Sequence, residues 1–253
     1  MVALVRFLLK DYFRSSNYFA PFLLFAVFIV AQYSYTTDRM VDTYSMTALY
    51  LYAISGWITF TVFAAEDGTQ QIITSLNAKS PAHYFLAKLT VALVAVALLS
   101  LFSIVYPLAT QRIVGPKPFV WIVCSFLVHL LLGALALVVG ALFNPLLVRS
   151  KSVSLGGMLL VLLLFLAHEE VVKQLSLPNA LSDLLPPLPR LMNALQKDVP
   201  DVQGILQSGL WIFLCGCLLA GVYLLLMKAN SGLAGQNSGT ELQDGETRMN
   251  RQS

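Results

Sequence analysis

The amino-acid sequence predicts an all-α, polytopic membrane protein with six transmembrane helices. Hydrophobic residues make up 57% of the 253-residue chain and charged residues only 11%, whereas soluble domains carry roughly 25% charged residues. The mean hydropathy is +0.74. The apolar residues are concentrated in six stretches that approach the roughly 20 residues needed to cross a bilayer as a helix.

The six predicted spans divide the chain into a membrane domain with short appendages. They cover residues 18–35, 44–65, 89–109, 119–143, 155–167 and 210–227. The fifth has a short apolar core and needs flanking residues to cross. We therefore expect one transmembrane domain over 17–228, with an extracellular loop over about 168–208 that carries short helices or re-entrant turns. The tail, 229–253, is rich in Gly, Ser and Asn and is expected to be disordered.

The first 16 residues predict an amphipathic helix in the membrane interface. Arg6, Lys10 and Arg14 recur every fourth residue on one side of the helix. Another side carries Val2, Val5, Leu9 and Phe13. A helix of this pattern lies in the cytoplasmic interface with its cations toward anionic headgroups. The alternative is a frayed extension of the first span.

The distribution of cations predicts the orientation of the chain. With the N-terminus inside, ten of the 16 Lys and Arg residues fall on the cytoplasmic side. This bias favours a multi-pass protein of the cell membrane with both termini in the cytoplasm. The net charge of +3 is small and gives no indication of a nucleic-acid partner.

The segment between the second and third spans predicts a short amphipathic helix over about 66–78. Asp67 can cap it, and Gly68 loosens its entry. One face of the helix is formed by Ile72, Ile73 and Leu76. The next helix is predicted to begin at Ser80 as N-cap and Pro81 as first residue, and to continue until Pro107. Lys88 would then mark its entry into the headgroup region.

This segment, with the six-span layout, resembles the permease subunits of type-2 (ABC-2) ABC exporters. The pattern is an acidic residue and a glycine, a short amphipathic helix, Ser-Pro, and Lys-Leu at the third span. It is carried here by Glu66, Asp67, Gly68, Ile72, Ile73, Leu76, Ser80, Pro81, Lys88 and Leu89. The N-terminal helix and the enlarged loop between spans five and six extend the resemblance over nearly the whole chain.

The resemblance implies a transport subunit and not an enzyme. The helix between spans two and three would be the coupling helix that docks on a separate ATPase, with ATPase-coupling residues Glu66, Asp67, Gly68, Ile72, Ile73 and Leu76. Alternatively, this helix merely closes a loop. The chain has no G-x-x-x-x-G-K-[ST] phosphate loop, so two copies of the ATPase would bind ATP and Mg²⁺, and no cofactor is expected in this chain.

Six spans are half the number usual for the translocation path of an ABC exporter. The resemblance therefore implies a second permease, identical or related. Apolar spans favour a hydrophobic or amphipathic substrate, such as a bacteriocin-like peptide, a lipid or a drug. A haem-export permease is a narrower alternative. No acidic residue lies deep within a predicted span, which argues against a proton- or sodium-coupled carrier.

Two alternatives come from other functional classes. An intramembrane enzyme, protease-like, could use His168, Glu169 and Glu170, but the second histidine of an H-E-x-x-H zinc site is missing, so neither catalysis nor a metal site is expected. A structural membrane subunit would recruit a partner without transport.

Three residues of the fourth span are predicted to pack the bundle or to line a path. His129 is polar within the membrane and should face the bundle interior. Gly133 and Gly140 are seven residues apart and lie on nearly the same face of the helix. They predict close helix packing or a seam between two permeases.

Overall fold

The structure is a computed structural model of the chain. It describes residues 1–37, 39–66, 68–78, 80–114, 118–144, 147–148, 150–167, 170, 172, 174, 186–197 and 201–249. For some helical residues, among them those after Leu226, only the backbone is described.

Helices account for the regular structure of the described residues, apart from one isolated parallel bridge between Thr37 and Ile113. In chain order the helices are α1 (Val2–Arg14), α2 (Phe19–Gln32), α3 (Met40–Phe63), α4 (Gly68–Asn77), α5 (Pro81–Ala109), α6 (Phe119–Leu142), α7 (Lys151–Leu166), α8 (Leu188–Leu195) and α9 (Val202–Met249). The predicted all-α class is therefore confirmed for this part of the chain.

Four helices of the described chain are long and apolar enough to cross a membrane. They are Met40–Phe63, Ala82–Ala109, Phe119–Leu142 and Val202–Leu226. A fifth span is obtained if α1 and α2, bent by 75° relative to each other, count as one. The six predicted spans are thus not all confirmed, because α2 and α7 have only 14 and 16 residues, shorter than the roughly 20 that a span needs.

The beginning of α5 is the one predicted. Ser80 is its N-cap, with Oγ accepting a hydrogen bond from the N–H of His83 at 3.2 Å, and Pro81 occupies the first turn. The predicted end at Pro107 was wrong, because the helix continues to Ala109. A proline this close to the end of a helix removes only one backbone hydrogen bond.

The close packing of α3 against α6 forms the centre of the bundle. The two helices run parallel, with Thr47 beside His129 and Gly56 beside Gly140. A Cβ on Gly140 would lie 2.8 Å from the carbonyl oxygen of Gly56. Gly133 is equally crowded, since its Cβ would lie 2.5 Å from Val96 of α5. Both glycines therefore pack helices within one chain.

The end of the bundle opposite α4 is closed by α8. Leu188, Leu191 and Leu195 are buried against the core that α3, α6 and α7 share. Asp201 then starts α9, accepting a hydrogen bond from the N–H of Gly204 at 2.8 Å. The hydrogen bond from Lys197, followed by that from Gly204, holds the pKa of the Asp201 carboxyl below its usual range. Short helices or re-entrant turns were predicted for the loop over about 168–208, of which 168, 169, 171, 173, 175–185 and 198–200 lie outside the described residues.

The last helix leaves the bundle at the α4 end. Tyr223 stacks on Phe85 with ring centroids 4.0 Å apart and receives a hydrogen bond from Asn144 at 2.9 Å. The backbone of α9 remains helical through residues 229–249, where the composition predicts disorder. Those residues include glycines and asparagines, which are weak helix formers. The disorder of 229–253 stays a prediction.

We expect Gly140→Ala to destabilise the bundle by about 1–3 kcal/mol, because its methyl group would overlap the backbone of Gly56. Gly156→Ala on α7 is the matched control. A Cβ there meets nothing within 4 Å, so the better helix propensity of alanine leaves stability equal or slightly higher. Thermal unfolding of the purified variants in detergent measures the stability of each variant. Equal unfolding temperatures for the two variants would contradict the α3–α6 packing.

Candidate functional site

A groove of about 500 Å³ separates α1 from α4 at one end of the bundle. It is lined by Met1, Ala3, Leu4, Phe7, Gln70, Ile73, Thr74, Asn77, Ala78 and His83. The Ile73 side chain is 56% exposed and that of Phe7 is 49% exposed. The groove is open and mostly apolar, and it borders a short helix that lies between two long apolar helices.

A buried ion pair lies at the first turn of α4. The Nζ of Lys88 on α5 is 2.8 Å from the Oε2 of Glu66, and both side chains are only 1% exposed. The same carboxylate accepts hydrogen bonds from the hydroxyl of Tyr84 and, at 3.1 Å, from that of Thr74. Glu66 therefore joins the end of α3, the body of α4 and the first turns of α5.

The Lys88 ammonium is enclosed by further favourable partners. It donates to the carbonyl oxygen of Phe63 at 3.4 Å. The ring centroids of Phe63 and Tyr84 lie 5.1 and 5.0 Å from Nζ, within the range of cation–π attraction. The carboxylate of Asp11, on α1, adds to the electrostatic field at Lys88. A charge buried among apolar helices is tolerated only with partners of this kind.

Gln71 completes the connection between α3 and α4. Its side-chain amide donates to the carbonyl oxygens of Phe63 at 2.7 Å and Glu66 at 3.1 Å. These carbonyls follow the last turn of α3 and have no partner within that helix. The turn between α3 and α4 is thus held by side chains from α4 and α5, and we call Phe63, Glu66, Gln71, Thr74, Tyr84 and Lys88 the anchor cluster.

The residues predicted for ATPase coupling separate into two positions. Glu66 is buried in the anchor cluster, whereas Ile73 is exposed in the groove. Gly68 begins α4. Asp67 lies outside the described residues, and the side chains of Ile72 and Leu76 are not described. The short helix therefore has one buried anchor and one exposed apolar contact.

Lys88 was predicted to mark where α5 enters the headgroup region, and its depth in a membrane stays a prediction. Its side chain is buried inside the protein. Snorkelling is preferred when water is the nearest favourable environment for the charge. Here Glu66 is closer, because the turn after α3 places its carboxylate directly against α5.

His129 lies in the interior of the bundle, as its polarity predicted. It is fully buried. Its Nδ1 lies 2.7 Å from the carbonyl oxygen of Ser125 and its Nε2 lies 3.0 Å from the hydroxyl of Thr47. A carbonyl only accepts, so Nδ1 carries the proton. Nε2 competes with the carbonyl oxygen of Tyr44, 3.0 Å from the Thr47 hydroxyl, for the single proton of that hydroxyl. Both ring nitrogens have a polar atom within hydrogen-bond distance, and the contact with Thr47 joins α6 to α3.

The region of the alternative enzymatic site is only partly described. His168 and Glu169 lie outside the described residues, and Glu170 is exposed. Over the described ranges, no group of three His, Cys, Asp or Glu side chains is placed to hold a metal ion.

Sequence reasoning missed four members of the anchor cluster: Phe63, Gln71, Thr74 and Tyr84. Each lies within a segment that was interpreted as a span or a surface helix. Thr74 and Tyr84 are separated from Glu66 by 8 and 18 residues. The signal in the sequence that could have indicated the cluster was a pair of opposite charges at the two ends of the segment, Glu66 and Lys88. Each of them occurs where a span meets a loop.

We expect Glu66→Gln and Lys88→Met to destabilise the chain by about 3–5 kcal/mol each, because each leaves one buried charge without its partner. The double variant should cost much less than the sum of the two, since no lone charge remains. Thermal unfolding in detergent gives the comparison.

The control is Arg39→Ala, which breaks an ion pair with Asp42 whose side chains are 72% and 42% exposed. That change should cost less than about 1 kcal/mol. Additive effects of the two anchor substitutions would contradict a coupled buried pair.

Comparison with known proteins adds no relationship to this geometry. No protein-family model, no curated protein and no solved structure matches this chain.

Proposed function

We propose that this chain is the permease subunit of an ABC exporter and docks its ATPase through α4. The observation that carries the proposal is the combination of an exposed Ile73 in the groove with a buried anchor cluster beneath it. A helix of this kind contacts a partner on one side and is tied to two apolar helices on the other.

The mechanism follows from the stiffness of the anchor cluster. A force on α4 reaches the end of α3 and the beginning of α5 through Glu66, because separating it from Lys88 would expose two buried charges to apolar surroundings. α3 in turn packs on α6 at Gly56 and Gly140. Displacement of α4 therefore tilts these helices together, which is how a soluble motor can reshape a membrane path.

In this mechanism a separate chain binds and hydrolyses the nucleotide. Two copies of the ATPase bind ATP and Mg²⁺, and hydrolysis resets the position of α4. A second permease, identical or related, completes the path across the cell membrane, with both termini of this chain in the cytoplasm. The substrate is hydrophobic or amphipathic, since the apolar spans offer few groups to a hydrophilic solute.

The test is purification of the tagged full-length chain from its native host in mild detergent, with mass spectrometry of proteins present at stoichiometric ratio. We expect an ATPase that contains a phosphate loop. Ile73→Asp should reduce its recovery at least about tenfold, because a charge would be desolvated in the contact.

Val114→Asp is the matched control, since Val114 is 55% exposed but lies in the loop between α5 and α6, at the opposite end of α5. It should retain the ATPase. Recovery of the wild-type chain without any ATPase, or equal recovery with both variants, would overturn the proposal.

A further inference from the structure

We propose that the outward face of α1 is a binding site for anionic phospholipid headgroups. This inference concerns α1 alone and stands whether or not the chain belongs to an exporter. The proposed ligand is a phosphatidylglycerol-like lipid, whose phosphate matches three cations that lie side by side on the helix.

The position of α1 follows from its angle to the next helix. α1 and α2 meet at 75°, and Ser16 between them adopts a left-handed backbone conformation with φ of 60°. If α2 runs through the membrane, α1 therefore lies nearly in the membrane plane. The inner face of α1 is fixed to the bundle by Leu8 and Tyr12, which are 4% and 1% exposed, and the Tyr12 hydroxyl is 3.1 Å from that of Thr61.

The remaining surface of α1 divides into an apolar edge and a cationic row. Val2 and Phe13, 82% and 38% exposed, form an edge suited to the acyl boundary of the bilayer. Next to it, Arg6, Lys10 and Arg14 are all exposed. At 1.5 Å per residue the row is about 12 Å long, enough for one or two headgroups.

The charges of this row have no acidic partner among the residues that the structure describes. No carboxylate of the described residues lies within ion-pair distance of Arg6, Lys10 or Arg14. The only acidic residue of α1, Asp11, is half-buried and forms no ion pair with these three cations. Three unpaired cations beside an exposed apolar edge call for an anion located at a membrane surface, which is the position of a lipid phosphate.

The experiment uses the full chain, delipidated in detergent, with dioleoyl phosphatidylglycerol or dioleoyl phosphatidylcholine added during native mass spectrometry. We expect tighter binding of the phosphatidylglycerol, with a preference that declines as salt is raised. Each cation near an anionic lipid contributes roughly fivefold. R6Q/K10Q/R14Q should thus weaken phosphatidylglycerol binding by one to two orders of magnitude and leave phosphatidylcholine binding unchanged.

The matched control is R39Q/R112Q/R190Q, which removes three exposed cations elsewhere on the chain and should keep the preference. R6K/R14K keeps the charge of the row and should also keep the preference for phosphatidylglycerol. K10Q alone should weaken phosphatidylglycerol binding about fivefold. Gel filtration and the unfolding temperature establish that each variant is folded. If the triple variant is not folded, K10Q takes its place in the test.

Equal binding of the two lipids by the wild type would overturn the proposal. Retention of the preference by R6Q/K10Q/R14Q would also overturn it. An equal loss of the preference in R39Q/R112Q/R190Q would overturn it too, because the effect would then come from net charge alone. If the α1 triple variant binds phosphatidylglycerol normally but loses a co-purifying protein, the row serves an acidic protein surface and the lipid site is refuted.

Discussion

The ion pair between Glu66 and Lys88 is the constraint on which this end of the structure depends. Two charges buried among apolar helices are stable only together, so the turn after α3 and the first turns of α5 are held at one separation. Gln71 and Thr74 attach α4 to the same point. The groove that α4 borders, with Ile73 exposed in it, has a defined shape because its inner wall is fixed in this way.

The rest of the bundle extends this fixed point into the membrane. Gly140 lets α6 approach the backbone of α3, and His129 closes a hydrogen bond between the same two helices. α1 packs beside the anchor cluster through Tyr12 and brings the field of Asp11 to Lys88. The ATPase contact proposed for α4 and the lipid contact proposed for α1 would therefore meet at one buried group of side chains.

Composition and local patterns were sufficient to predict the helical class, the short helix before Ser80 and the inward position of His129. They failed where tertiary contact decides the outcome. The ion pair of Lys88 with Glu66 was not predicted, because a single sequence carries no record of which carboxylate lies opposite a lysine. The length of α2 was overestimated because hydropathy marks apolar residues without marking where the helix ends. The fifth predicted span, 155–167, was too short at its start, since α7 begins at Lys151. Tyr84 gave no signal at all, since its role depends on Glu66, 18 residues away.

The most direct test of the account is the distance distribution between spin labels on α4 and α5. Labels at Asn77→Cys and Leu98→Cys occupy exposed positions, after replacement of Cys124, Cys215 and Cys217 by alanine. Pulsed dipolar spectroscopy should give one narrow distribution with the ion pair intact. Lys88→Met should broaden it or add a second distance, because α4 is released from its anchor. An unchanged narrow distribution in the Lys88→Met background would show that something other than the buried pair holds α4, and would contradict the central claim.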